Sequence, residues 1–199
     1  MNEHVVLVDE SNNPIGTADK YEVHSADTPL HRGFSLFIIN SKGELLLQKR
    51  SKHKKTWPSV WSNSVCGHPA MDESPKQAAI RRAEYELGVE LGMPQVKLLI
   101  KNYRYSYEHL GVVENEICPV MVAFVDVRPR PNPIEVDSTR LITWDGFIDE
   151  ISKPNNYSEW CQEEAKLLNK SFVFRQLFKN YVRNKKPTYP AVLSAELLK

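Results

Sequence analysis

Apolar and polar positions follow two periods along this chain, a strand period of two and a helix period near 3.6. Residues 5–8, Val-Val-Leu-Val, form a short apolar run that predicts a strand. Asn12-Asn13-Pro14 marks a turn. Residues 17–24 read as the returning strand, with Lys20 towards its end, and 25–32 as polar loop. Residues 33–40 and 44–50 are apolar runs around Ser41-Lys42-Gly43, which predicts a hairpin. Residues 51–56 form a basic connection, followed by Trp57-Pro58, Trp61 and the loop Asn63-Ser64-Val65-Cys66-Gly67-His68.

The pattern then becomes helical. Ser74 suits an N-cap, Pro75 the first helical position, and Gln77 completes a capping box. Ala79, Ile80, Ala83 and Leu87 fall on one stripe, and Gly88 suits a left-handed close. Residues 96–107 and 112–127 each predict one strand, and the proline-rich stretch 128–133 a loop. A brief strand at 141–144 and a short helix at 147–151 precede a long helix over 157–182, where Trp160, Leu167, Leu168, Phe174, Leu177 and Tyr181 have burial spacing. Strands mixed with a central and a C-terminal helix predict an α+β or α/β sandwich. The expected organisation is one domain over 1–183 and a tail over 184–199.

Composition narrows the function classes. Charged residues are 26% and apolar ones 41%, ordinary for a globular protein. A net charge of +1 argues against a general polyanion binder, so nucleic acid is not an expected partner and attraction for phosphate must be local. No apolar run reaches membrane-spanning length, and Met1-Asn2-Glu3-His4 does not read as a signal peptide. The three cysteines, at 66, 118 and 161, lack metal-knuckle spacing. They suit reduced thiols in a cytoplasm, the expected location.

Several residue types suggest chemistry. Arg82 and Glu86 are four apart and share a helix face. They read as a surface ion pair or as part of a site for a charged ligand. Arg82 is the more informative, because the helix bearing Ala79 and Ala83 needs no cation there for stability. Glu114, Glu116 and Cys118 share one strand face, roughly 7 Å apart in sequence steps of two. They read either as a solvated edge or as a functional cluster beside the apolar run that follows. His24, His31 and His68 have no metal-signature spacing of their own.

The motifs resemble a known family. Gly67, Glu73, Arg81, Ala83, Glu86, Gly88 and Val89 match the Nudix box at its intervals. Arg82 and Tyr85 stand where that box has carboxylates. The hydrolytic metal cluster is thus dismantled while the scaffold is kept. Asn-Ser-Val-Cys-Gly-His-Pro, Arg-Arg-Ala-Glu-Tyr-Glu-Leu-Gly and Val-Glu-Asn-Glu-Ile-Cys-Pro are similar to type I isopentenyl diphosphate isomerases, from about residue 4 to 170. The resemblance implies the Nudix fold, an α/β/α sandwich with a mixed sheet and flanking helices.

The resemblance also implies a site. His24, His31, His68, Glu114 and Glu116 match metal ligands, for Mn²⁺, Mg²⁺ or Zn²⁺. Glu86 matches the acid that holds a Mg²⁺ on the diphosphate. Lys20, Arg50, Lys54 and Arg82 match the cations around that diphosphate, and Trp160 an aromatic facing a carbocation. Cys66 and Glu116 match the acid–base pair, with Tyr105 assisting Glu116. The implied reaction interconverts isopentenyl and dimethylallyl diphosphate through a tertiary carbocation, for isoprenoid synthesis, in a monomer or weak homodimer. Two other readings remain. A Nudix pyrophosphohydrolase is disfavoured by Arg82 and Tyr85. A non-catalytic Nudix-like module would not require Cys66, Glu116 and Tyr105 together.

Overall fold

The computed structural model describes residues 4–185. In chain order its elements are β1 (His4–Val8), β2 (Pro14–Asp19), α1 (Lys20–Val23), β3 (His31–Arg32), β4 (Phe34–Ile39), β5 (Glu44–Arg50), β6 (Trp61–Ser62), β7 (Val65–Gly67) and α2 (Pro75–Leu87). They continue with β8 (Val96–Ile100), β9 (Arg104–His109), β10 (Val112–Ile117), β11 (Val120–Phe124), β12 (Val136–Thr143), α3 (Trp144–Glu150), α4 (Glu159–Lys170) and α5 (Phe172–Lys185).

The larger sheet has the order β12-β5-β4-β11-β8, with β6 on β5 and β7 on β4. It is mixed, since β4 and β11 run parallel while β5 opposes β4. Every residue of β4 is buried, as a strand covered on both faces requires. Leu36 and Ile38 pack with Ala78, Ala79, Ala83 and Leu87 of α2. Phe37 and Ile39 pack on the other side with Trp144, Phe147, Trp160, Leu168 and Phe174 of the last three helices. This is the expected α/β/α sandwich.

Helix α2 forms as its signals predict. Ser74 Oγ accepts from Gln77 N, the Gln77 side chain accepts from Ser74 N at 3.0 Å, and Gly88 closes the helix at φ 60°. Ala78 is buried where Ile80 was expected, and Ile80 lies at the edge of the buried face.

A second sheet, ordered β2-β1-β3-β10-β9, carries much of the site. The run 112–127 is not one strand. Cys118-Pro119 breaks it, because proline lacks the N–H that a continuous ladder needs. Strand β10 therefore lies in the small sheet and β11 in the large one. The neighbouring chain crosses beside it. Gly33 N donates to Ile117 O at 3.0 Å and Ser35 N to Pro119 O at 3.1 Å. Both β3/β10 and β4/β11 are parallel pairs, so two adjacent segments change sheets together.

Other expectations are corrected in the same way. The run 96–107 divides into β8 and β9, on different sheets. The returning strand stops at Asp19, whose carboxylate accepts from Tyr21 N and Glu22 N and starts α1. The helix expected over 157–182 breaks at Ser171, which is extended (ψ 121°) and whose Oγ accepts from Phe174 N. Strand β12 begins earlier than 141, because it pairs with β5 along polar residues that hid the strand pattern. The expected boundary at 183/184 falls inside α5, and residues 186–199 of the expected tail lie outside the described residues. Among the described residues, no helix is long and apolar enough to cross a membrane.

Candidate active site

The crossing point of the two sheets sets the geometry of a polar cluster. His31 of β3 lies opposite Glu116 of the parallel β10, and Glu116 lies opposite Tyr105 of β9. His24 follows α1, and His68 follows β7 of the large sheet. His24 Nδ1 lies 2.6 Å from Lys20 O, and His31 Nδ1 2.9 Å from Pro29 O. A carbonyl only accepts, so both rings carry a proton on Nδ1 and turn Nε2 inward.

The inward atoms converge. His24 Nε2 is 3.0 Å from Glu114 Oε2, and His68 Nε2 is 2.9 Å from Glu116 Oε1. The Nε2 atoms of His31 and His68 are 3.3 Å apart. His24, His31, His68 and Glu114 each offer a ligand atom, all within 4.8 Å of one another. Buried acceptors facing acceptors at these distances repel unless positive charge sits among them. The donor set, imidazole nitrogen with carboxylate oxygen, fits a divalent ion. Without an ion, the same carboxylates draw a proton to His31 instead. Burial opposes charge on His31, yet Glu114 and Glu116 outweigh it and push its ring up to about 10. Burial pushes His68 down to about 4 despite Glu116. Burial also opposes charge on Glu116, but bonds from His31 and His68 hold it down at about 2.

Tyr105 Oη donates to Glu116 Oε2 at 2.9 Å. Its ring stacks on Trp160 with centroids 5.6 Å apart at 17°, and Trp160 meets Trp57 edge-on at 4.9 Å. Cys66, on β7, lines the same cavity as Glu116, Tyr105 and Trp160. Arg50 Nη1 donates to Cys66 Sγ at 3.3 Å. Burial nevertheless pushes the thiol up to about 11, against the pull of Arg50. The depression that catalysis as a base needs is therefore not present in this state.

Cations also line the cavity, and one of them, Arg50, is the residue that reaches Cys66. Lys20, Arg50 and Lys54 are all in its wall. Arg50 is fixed by Thr56, its Nη2 donating to the carbonyl at 2.8 Å and to Oγ1 at 2.9 Å. Arg82 and Glu86 stand behind the wall. Both are buried, with Arg82 Nε donating to Glu86 Oε1 at 2.9 Å, and Gln48 donating to Glu86 at 3.1 Å. Lys54 Nζ, 4.0 Å from Glu86, links this pair to the cavity. Of the two readings of this pair, the surface ion pair is corrected, since both side chains are interior.

Two contributing residues, Gly33 and Glu135, escaped the sequence reading, and the Nudix-box residue Arg81 gains a structural role. Gly33 leaves the Glu116 carboxylate its place, since a Cβ there would stand 1.9 Å from Glu116 Oε2 and the carboxylate would have to move. Its only signal was a glycine in an apolar run, a mark of close approach. Glu135 faces the cavity from the proline-rich connection, and nothing in its local pattern marked it. Arg81 makes a two-pronged bond to Glu73, at 2.8 and 2.7 Å, and reaches His68 O at 3.3 Å, steadying the His68 loop.

A family model described as NUDIX domain matches residues 29–161. An isopentenyl-diphosphate Delta-isomerase of Escherichia coli is 49% identical over 168 residues, 82% of this chain and 90% of that one. Its namesake in Saccharopolyspora erythraea is 44% identical over 165 residues, 82% of this chain and 84% of that one. The chain belongs to the isopentenyl-diphosphate Delta-isomerase family. Its NUDIX domain contains every site residue named above except Lys20 and His24, which precede it. A crystal structure from Deinococcus radiodurans superposes with a TM-score of 0.64 over 83% of this chain and 98% of that one. At 21% identity, that likeness is one of fold. Within the isomerase family's scaffold, this chain brings His24, His68, Glu114, Glu116, Cys66, Tyr105 and Trp160 to one cavity, with His31 buried against the histidine–carboxylate cluster and Arg82 and Glu86 also outside the wall.

Proposed function

We propose that the protein interconverts isopentenyl diphosphate and dimethylallyl diphosphate by moving one proton onto the terminal alkene carbon and another off C2. The observation that carries this reading is the shared cavity. It is lined by Cys66 and Glu116 from different strands, by Trp160, and by Lys20, Arg50 and Lys54. The C5 chain lies among the first three and the diphosphate among the cations.

Protonation at the terminal carbon leaves a tertiary cation at C3, and loss of a proton from C2 restores the alkene at the inner position. Cys66 and Glu116 exchange those protons from opposed sides. Tyr105, bonded to Glu116 Oε2, steadies or relays the carboxyl's proton. Trp160 offers its ring face to the cation, a contact worth about 2 kcal/mol when desolvated. The aromatic layer also excludes water, which would otherwise trap the cation. Lys20, Arg50 and Lys54 bind the diphosphate, and Arg82 supports them from behind.

His24, His31, His68, Glu114 and Glu116 would hold a Mn²⁺, Mg²⁺ or Zn²⁺ ion, and Glu86 a Mg²⁺ with the diphosphate. Such ions supply charge compensation and tune the basicity of Glu116.

The test is proton and phosphorus NMR of isopentenyl diphosphate incubated with the protein and a divalent ion. Dimethylallyl diphosphate with both phosphorus signals intact is the expected product. Released phosphate would support a pyrophosphohydrolase instead, and an unchanged spectrum would support a binding module.

A further inference from the structure

Glu135 is the acidic residue of the cavity wall that the reaction above does not use. Its backbone is pinned on both sides, with its N–H donating to Asn132 O and its carbonyl accepting from Ser51 N, each at 3.0 Å. Its carboxylate is ion-paired to Lys54 and lies 3.1 Å from Arg82 Nη2. These side chains are nearly withdrawn from water, at 14% exposure for Glu135, 12% for Lys54 and 3% for Arg82. With Glu86, the group comprises two cations and two carboxylates, so it is balanced before any ligand arrives.

An approaching phosphoryl oxygen meets this carboxylate already on Lys54. Lys54 already carries Glu86 at 4.0 Å as well as Glu135, so a phosphoryl oxygen that takes the cavity-facing side of this ammonium competes directly with the Glu135 carboxylate. Glu86 is fully buried and held by Arg82 and Gln48. Glu135 stands at the cavity surface, with only its side chain needing to swing.

We propose that Glu135 is a resident counter-anion that an incoming phosphoryl group displaces from Lys54 and Arg82. It sets phosphate affinity and selects diphosphates over monophosphates. The inference rests on the reading of this cavity as a diphosphate site. The carboxylate competes from within the chain, at high effective concentration. A diphosphate offsets that competition because one phosphoryl group takes the place of Glu135 while the other reaches Arg50 or Lys20. Orthophosphate has no second group to do so.

The experiment is calorimetric titration of the full chain with inorganic pyrophosphate and with orthophosphate, under a chelator. Glu135→Gln and Glu135→Ala should each bind pyrophosphate about tenfold or more tightly than the unaltered protein, the scale of one charged hydrogen bond. Their preference for pyrophosphate over orthophosphate should shrink. Glu84→Gln, on the exposed face of α2, removes the same charge and should change neither affinity. Equal or weaker pyrophosphate binding by the Glu135 variants overturns the inference. A carbon NMR titration of the unaltered protein reads the exchange without a variant. The Glu135 carboxylate signal should shift with pyrophosphate, and a fixed signal at saturation overturns the inference. Lys54→Ala separates the two levels. If it loses pyrophosphate binding while the Glu135 variants behave like the unaltered protein, the diphosphate site stands and the counter-anion falls. If Lys54→Ala binds as well as the unaltered protein, the diphosphate site falls.

Discussion

At the residue scale, the proposed reaction rests on two side chains, and a third position makes room for one of them. Cys66→Ala and Glu116→Gln each remove a group proposed to move a proton. Turnover should fall by about 10²-fold or more in each, the lower range of general acid–base contributions. The circular dichroism spectrum should be unchanged. Turnover at the unaltered rate in either folded variant would misplace the proton transfers. Gly33→Ala puts a methyl group where Glu116 Oε2 now lies, 1.9 Å from the built Cβ. It should lower turnover nearly as far as Glu116→Gln, although it touches no proposed substrate atom; an active, folded variant would show that Glu116 can relocate. Cys66, His68, Glu114 and Glu116 were legible because they sit in the quoted motifs, while Tyr105, His24 and His31 were named only through the family resemblance. Gly33 and Glu135 were not, because their roles come from chains that meet only in the folded molecule.

At the element scale, local signals decide α2 and fail along the split strands. The α2 cap was readable from Ser74, Pro75, Gln77 and Gly88, whose chemistry acts within one turn. Ser74→Ala should cost about 1 kcal/mol of stability, readable as a lower denaturation midpoint with unchanged activity. No loss would mean that packing against β4 alone holds the helix start. The strands at 96–107 and 112–127 looked continuous because periodicity does not say which sheet a residue joins. Pro119 was the available signal for the second break. The turn at Asp19 was hidden for a related reason, since one carboxylate capping two amides outweighs a weak strand pattern.

At the scale of the whole molecule, the proposed metal ligands bridge two sheets. His31, Glu114 and Glu116 belong to the small sheet, while His68 follows β7 of the large one. An ion that binds only the folded arrangement stabilises the molecule by mass action, about 2.7 kcal/mol at a hundred times its dissociation constant. Adding Mn²⁺ should therefore raise the thermal midpoint, and chelation should lower it again. His68→Ala should blunt the response, and an equal response in that variant would remove His68 from the ligand set. The net charge of +1 fits the same picture, in which the proposed phosphate-binding cations are local and one of them, Lys54, is paired with Glu86 and Glu135. The central claim is that two separate groups add and remove different protons. Its most direct test is to convert isopentenyl diphosphate in D₂O and locate deuterium in the first product by NMR. Exchange of Cys66 and Glu116 with solvent between turnovers predicts dimethylallyl diphosphate with deuterium in a methyl group. Product formed at full rate with no deuterium, as a direct transfer within the substrate would give, would contradict it.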